Sequence, residues 1–193
     1  MRLSFAAVKL LAVILFCSLT ALAQGAGNLK HFDSGGLTFD YPNGWTLTES
    51  SNSDAQQMQL TRSDSDAQIS IFVPRGKVDT PERVAQARTK LIDPYLNYTS
   101  QKFVEMGATP TRTPASTEIG GAQAEGVHIR AVLAGEAGEA GVYWLVVNNR
   151  LVVLTFFGPD QSLKRATPAW DTVRNSLHIQ AASAPPAQQT NPH

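Results

Sequence analysis

Apolar and polar positions mostly alternate in short runs along this chain, and one stretch breaks that rule. Gly141–Gly158 reads GVYWLVVNNRLVVLTFFG, two β-branched and aromatic runs on either side of Asn148-Asn149. Asn tolerates the left-handed backbone that a two-residue hairpin turn requires. The spacing predicts a hairpin in which Val147 faces Arg150, Leu145 faces Val152, Trp144 faces Val153 and Tyr143 faces Leu154. Successive side chains of a strand point to opposite sides. One side therefore carries Tyr143, Leu145, Val147, Val152, Leu154 and Phe156, and the other Val142, Trp144, Val146, Leu151, Val153 and Phe157. Both are apolar. A half-solvated hairpin would alternate apolar with polar, so this one is expected mid-sheet with something packed on each side.

Elsewhere the pattern is the ordinary one. Leu29 to Phe32 suggests a first strand, and Leu37, Phe39 and Tyr41 share an inward side before the Pro42-Asn43-Gly44 turn, with Trp45 and Leu47 continuing on a second strand. Met58 and Leu60, then Ile69, Ile71 and Val73, give two more inward sides around a turn at Ser63–Asp66. Pro74 ends that run because it cannot donate to a ladder. Thr80-Pro81-Glu82 reads as a helix start: a capping hydroxyl, a proline preset for the first helical position, and an acid at the positive end of the dipole. Its apolar stripe is Val84, Ala87, Leu91 and Ile92; Asp93-Pro94 kinks or restarts it, and Gly107 caps it. Thr109–Ser116, with two prolines, suits an edge strand or an irregular crossing. Ala122–Leu133 is a strand with Val127, Ile129, Ala131 and Leu133 on one side, and Gly135–Ala140 is a flexible tip. A last helix is expected from near Thr167-Pro168, with Trp170, Val173 and Leu177 as its stripe. About seven to nine strands with helices mid-chain and at the end predict an α+β fold. Its form is an α/β/α sandwich, a central and mainly antiparallel sheet flanked by helices on both faces.

The N-terminus changes the setting. Arg2 and Lys9, the apolar Leu10–Leu19, and Ala21-Leu22-Ala23 before Gln24 form the pattern of a secretory signal cleaved after Ala23. That apolar run falls short of the roughly 20 residues of a membrane span. Cys17 follows Phe16, where a lipoprotein signal wants a small residue, so lipidation is not expected. Cys17 is the sole cysteine, so the mature domain is held by its core and not by disulfides. Residues 24–28 read as a flexible start, 29–180 as one domain, and 181–193 as an Ala/Pro/Gln tail with nothing to bury. The full chain has 16 basic and 16 acidic side chains, and loss of Arg2 and Lys9 leaves a small acidic excess. No basic stripe of the nucleic-acid-binding kind occurs. A periplasmic or secreted protein is expected.

Gly36-Leu37-Thr38-Phe39-Asp40-Tyr41-Pro42-Asn43-Gly44-Trp45 resembles the aromatic-x-Tyr-Pro-x-Gly-Trp opening of the PsbP-like superfamily, which has the PsbP, Mog and DcrB-like fold. Glu118–Ala124 and Trp170–Leu177 are similar to its strand and helix signatures, and the likeness spans Gly36 to Ile179. The resemblance implies an exported bacterial member that is non-catalytic, binding a protein partner or assisting an assembly in the envelope. It transfers no site residue to this chain.

Chemistry read from the residues is sparse, and no catalytic, cofactor-binding or metal-binding residue is assigned. The four histidines, His31, His128, His178 and His193, lack zinc-ligand spacing. His128 points opposite the apolar side of its strand and reads as a hydrogen-bonded sheet histidine. Asp64-Ser65-Asp66 fails the calcium-loop pattern, since Gln68 and Ile69 follow at once. Trp45, Trp144 and Trp170 occupy core-periodic positions. Three readings follow: a binding module using the Gly135–Ala140 tip and the Ser50–Ala55 loop; a carrier or enzyme built on His128 with Glu118 or Glu125; and a weak divalent-cation domain on Asp54, Asp64 and Asp66.

Overall fold

The structure is a computed structural model describing residues 28–180; the expected signal and tail lie outside the described residues. Its strands are β1 (Leu29–Ser34), β2 (Leu37–Pro42), β3 (Thr46–Glu49), β4 (Ala55–Arg62), β5 (Ser65–Pro74), β6 (Thr111–Ile119), β7 (Ala122–Leu133), β8 (Glu136–Val147), β9 (Arg150–Pro159) and β10 (His178–Ile179). Seven form one antiparallel sheet in the order β3-β4-β5-β9-β8-β7-β6, and β1-β2-β10 form a second. The large sheet is two meanders, β3–β5 and β6–β9, joined where β5 pairs with β9. The expected turn follows β2, with Gly44 at φ 88°, and Leu47 lies on the separate strand β3, which enters the other sheet.

The central hairpin has the predicted register, Val147 opposite Arg150 through Tyr143 opposite Leu154. Asn148 and Asn149 take φ of 50° and 61°. Asn149→Val is expected to cost about 1–2 kcal/mol, because a β-branched residue resists the left-handed region. A denaturant midpoint checks this; an unchanged midpoint would contradict it. Gly135–Ala140 is not a flexible tip. Ala134-Gly135 make a tight turn, and Glu136 onward is paired strand with Ala140 fully buried.

The helices depart more from expectation. Thr80 caps α1 (Pro81–Ala87), its hydroxyl accepting from the Arg83 amide at 3.3 Å. A π-helical turn, Arg88–Ile92, leads without a break into α2 (Asp93–Glu105). Pro94 has no N–H for the Lys90 carbonyl, and the widened turn, where the Asp93 amide reaches Arg88 O, absorbs that mismatch. The wide turn also rotates the stripe: Ala87 and Ile92 are buried, but Val84 and Leu91 are exposed. Gly107 (φ 86°) ends α2, its amide donating to Val104 O and that of Ala108 to Phe103 O, both at 2.9 Å.

The last helix, α3, is Asp160–Ser176 and starts before the expected Thr167-Pro168. Pro168 lies inside it on the exposed side, where water can serve the Lys164 carbonyl that loses its partner. Buried Ala166, Ala169, Trp170 and Val173 form its inner stripe.

Side chains on the two sides of the central hairpin belong to different clusters. Tyr143, Leu145, Val152 and Leu154 join α3 and the small sheet. Val142, Trp144, Leu151 and Val153 join Ala87, Ile92, Leu96 and Phe103 of the α1–α2 stretch. That second cluster includes Ile129 and Ala131 of β7 and is flanked by Phe72 of β5, but it takes in no residue of β3 or β4. An α+β fold with mostly antiparallel sheets is therefore present, with uneven cover on the α1–α2 side.

Candidate functional site

Two places hold more than packing. The first lies on the α3 side of β7 and β8. Pairing sets Gly126 opposite Tyr143, His128 opposite Gly141 and Arg130 opposite Glu139, so all six share one face. Tyr143 lies flat over the two glycines: a Cβ at Gly126 would fall 2.4 Å from its Cδ1, and one at Gly141 3.0 Å from its Cε2. This aims the hydroxyl at His128 Nε2, 2.7 Å away, while His128 Nδ1 is 2.9 Å from Glu139 Oε1. Arg130 donates to Glu139 at 3.0 Å and to Asp160, at the start of α3, at 2.6 Å.

A tyrosine, a histidine and a carboxylate in series have the layout of an activated nucleophile. The electrostatics run the other way. Burial, and then the Glu139 charge, push the Tyr143 phenol above its ordinary pKa, with Arg174 partly opposing. A phenol held protonated donates to Nε2, which leaves Nδ1–H to donate to Glu139. Each member thus has its partner within the chain, and the string ties the head of α3 to the sheet. The carboxylate beside His128 is Glu139, neither Glu118 nor Glu125. Glu118 pairs across from Gln123 on the edge, and Glu125 bonds Arg88 on the opposite side of the sheet.

The three aspartates do not converge. Asp54 precedes β4 and Asp64 follows it, roughly 25 Å apart at the strand's two ends. The Arg62 guanidinium hydrogen-bonds Asp64 and holds it below the usual carboxylate range. Among the described residues no three His, Cys, Asp or Glu side chains gather at metal-binding distance. The Ser50–Ala55 loop is closed on itself, Asn52 Oδ1 accepting from the amides of Asp54 (2.8 Å) and Ala55 (2.9 Å). His31 bonds Asp40 at 2.6 Å at the surface, His178 is exposed on β10, and His193 lies outside the described residues. Trp45, Trp144 and Trp170 are buried.

The second place was not legible in sequence. Between α1 and the sheet runs a cleft of about 470 Å³, bordered by Pro81, Val84 and Arg88 on one side and by Glu125, Trp144 and Val146 on the other. The Arg88 guanidinium sits 4.7 Å from the Trp144 ring centroid and donates to Asp93 (3.0 Å) and Glu125 (3.2 Å). Val84 and Val146 stand exposed at its lips, 47% and 38% accessible. An aromatic wall, a stacked arginine and bare aliphatic lips are the composition of a binding surface.

Solved structures with this architecture exist. The solution structure of cyanobacterial PsbP (CyanoP) from Synechocystis sp. PCC 6803 matches 82% of this chain and 96% of its own, at 14% identity and a TM-score of 0.51. The fold is PsbP-like. A crystal structure from Bacteroides thetaiotaomicron VPI-5482 matches 78% of this chain and 48% of its own, at 14% identity and a TM-score of 0.50. LpqN of Mycobacterium tuberculosis, described as involved in cell envelope biogenesis, aligns over 80% of this chain and 92% of its own at 12% identity and a TM-score of 0.43. No protein-family model matches the chain, and no curated protein matches it by sequence. At these identities the likeness speaks for the PsbP-like fold alone. Among the described residues no helix is long and apolar enough to cross a membrane.

Proposed function

We propose that the protein is an exported, non-catalytic binding or assembly-assisting module of the cell envelope. In this reading a signal is removed after Ala23, and residues 24–28 lead into one PsbP-like domain over 29–180. An Ala/Pro/Gln tail follows at 181–193. The domain is an α/β/α sandwich whose α1–α2 layer, incomplete over the sheet, leaves the partner surface open. The observation that carries it is the cleft at Trp144, with apolar lips that nothing in the described chain covers. The closed Tyr143–His128–Glu139 string supports the non-catalytic part: its phenol is shifted away from the ionised form that nucleophilic attack needs.

The test is site-specific photocross-linking in the native envelope. A photoreactive phenylalanine at Val146 is expected to yield a discrete protein adduct, and one at Lys164 on the exposed side of α3 is expected to yield none. Val84→Glu, which sets a charge on the apolar lip, should remove the adduct. Equal adducts from both positions, or none from Val146, would overturn the reading.

A further inference from the structure

Beyond the helical layer, the same broad side of the sheet faces solvent over β3, β4 and β5. Register places Thr48 opposite Gln59 and Gln59 opposite Ser70, with Thr46, Gln57 and Gln68 on the same face. All six are exposed or half-exposed. Solvated sheet faces ordinarily carry interspersed charges. Here the first charged side chain is Asp66, at the start of β5. The row is amides and hydroxyls, with Gln59 Nε2 donating to Gln68 Oε1 at 2.7 Å.

Where this row meets α2 there is a pocket of about 360 Å³. Gln68, Ser70 and Thr155 form its sheet side, and Tyr95, Tyr98 and Thr99 its helix side. Tyr95 and Thr155 share a hydrogen bond of 3.0 Å between their hydroxyls. Tyr98, 61% exposed, stands at the mouth. The one charged lining residue is Lys102, whose ammonium donates to Glu105 at 2.7 Å and lies over the Tyr98 ring at 5.1 Å.

We propose that this pocket and the uncharged row beside it bind a neutral carbohydrate unit. Hydroxyls and carboxamides each donate and accept, which matches the vicinal hydroxyls of a sugar. An exposed tyrosine offers a flat apolar surface for the C–H side of a pyranose ring. The volume suits a mono- or disaccharide and falls within the range of small-ligand sites. An ionic ligand would need an unpaired charge, and Lys102 is already paired. The site goes beyond the partner reading and lies in a different cleft, so either can fail while the other stands.

The test is titration of the ¹⁵N-labelled full-length mature protein with N,N′-diacetylchitobiose and with maltose, to roughly 20 mM, the range in which weak single-site ligands saturate. Expected are saturating shifts of the Gln59 and Gln68 side-chain amides and of the Ser70 and Thr99 backbone amides with at least one saccharide. Tyr98→Ala should weaken binding roughly tenfold through loss of the stacking surface, with an unchanged unfolding midpoint. A parallel titration with laurate identifies the competing ligand class. Shifts with laurate alone, centred on Phe103 and Met106, would assign the pocket to an acyl chain and overturn the proposal. No saturating shift with either sugar, or full affinity in Tyr98→Ala, would overturn it as well.

Discussion

Trp144→Asp is expected to leave the protein unfolded at ordinary temperature. The indole is 8% exposed, opposite Val153 in the middle of the large sheet, and its cluster holds the α1–α2 stretch against β7, β8 and β9. Removing a buried aromatic of this size costs about 3–5 kcal/mol. Burying an unpaired carboxylate adds several kcal/mol more. Together these reach the whole stability of a typical domain, about 5–15 kcal/mol. Arg88 is the nearest cation, but it would have to give up Asp93 and Glu125 to follow the new carboxylate inward. Far- and near-ultraviolet circular dichroism decides it: a native near-ultraviolet spectrum for Trp144→Asp would show that the layer is not organised around this residue. Trp144→Phe, which keeps the apolar contact, should stay folded.

Gly120→Ala should be the most damaging of the small substitutions. Gly120 and Gly121 form the β6–β7 turn with φ of 58° and 79°. The Gly120 amide donates to Arg174 O at 2.7 Å, so the end of α3 is seated on this turn. A methyl group at Gly120 would fall 2.3 Å from the backbone oxygen of Leu177, which cannot swing away as a side chain could. At Gly121 the same methyl meets nothing within 4 Å. Both variants carry the left-handed penalty of about 1–2 kcal/mol, and Gly120→Ala adds overpacking of roughly 1–3 kcal/mol. The difference in urea midpoint between the two isolates the seating of α3. Equal midpoints would mean the helix end can shift at no cost.

The fold was legible in sequence where one period dominated. The central hairpin was readable because both of its sides are apolar and an Asn pair sits at the only workable turn, and α1 because Thr80-Pro81 is a start signal with a physical basis. α3 was misplaced because Thr167-Pro168 imitates the same signal, whereas a proline on a solvated helix face costs little enough to sit mid-helix. The glycines of Gly135–Ala140 suggested a loop, but Gly138 sits in β8 opposite Pro159, where a Cβ would fall 3.0 Å from Gly158 O. That error hid the carboxylate beside His128. With the turn at Ala134-Gly135, Arg130 faces Glu139 and His128 faces Gly141, and Glu139 comes within reach. The cleft at Trp144 and the uncharged row on β3–β5 had no local signal at all. They depend on how far the α1–α2 stretch extends over the sheet, and the π-helical turn that sets its rotation follows from Pro94 in a way periodicity does not reveal.

The join between the two meanders has a consequence for how the molecule comes apart. Every other pairing in the large sheet is between strands adjacent in sequence, whereas β5 meets β9 only after the chain has passed through α1, α2 and three further strands. Closing that long excursion is the slow entropic step of assembly. Opening it first would expose two unpaired borders, Ile69–Val73 and Leu151–Phe157, rich in β-branched and aromatic residues and free of charge, the composition that recruits other chains into fibrils. Phe72 and Val153 meet across this join beneath the α1–α2 layer, so that layer doubles as a latch against aggregation.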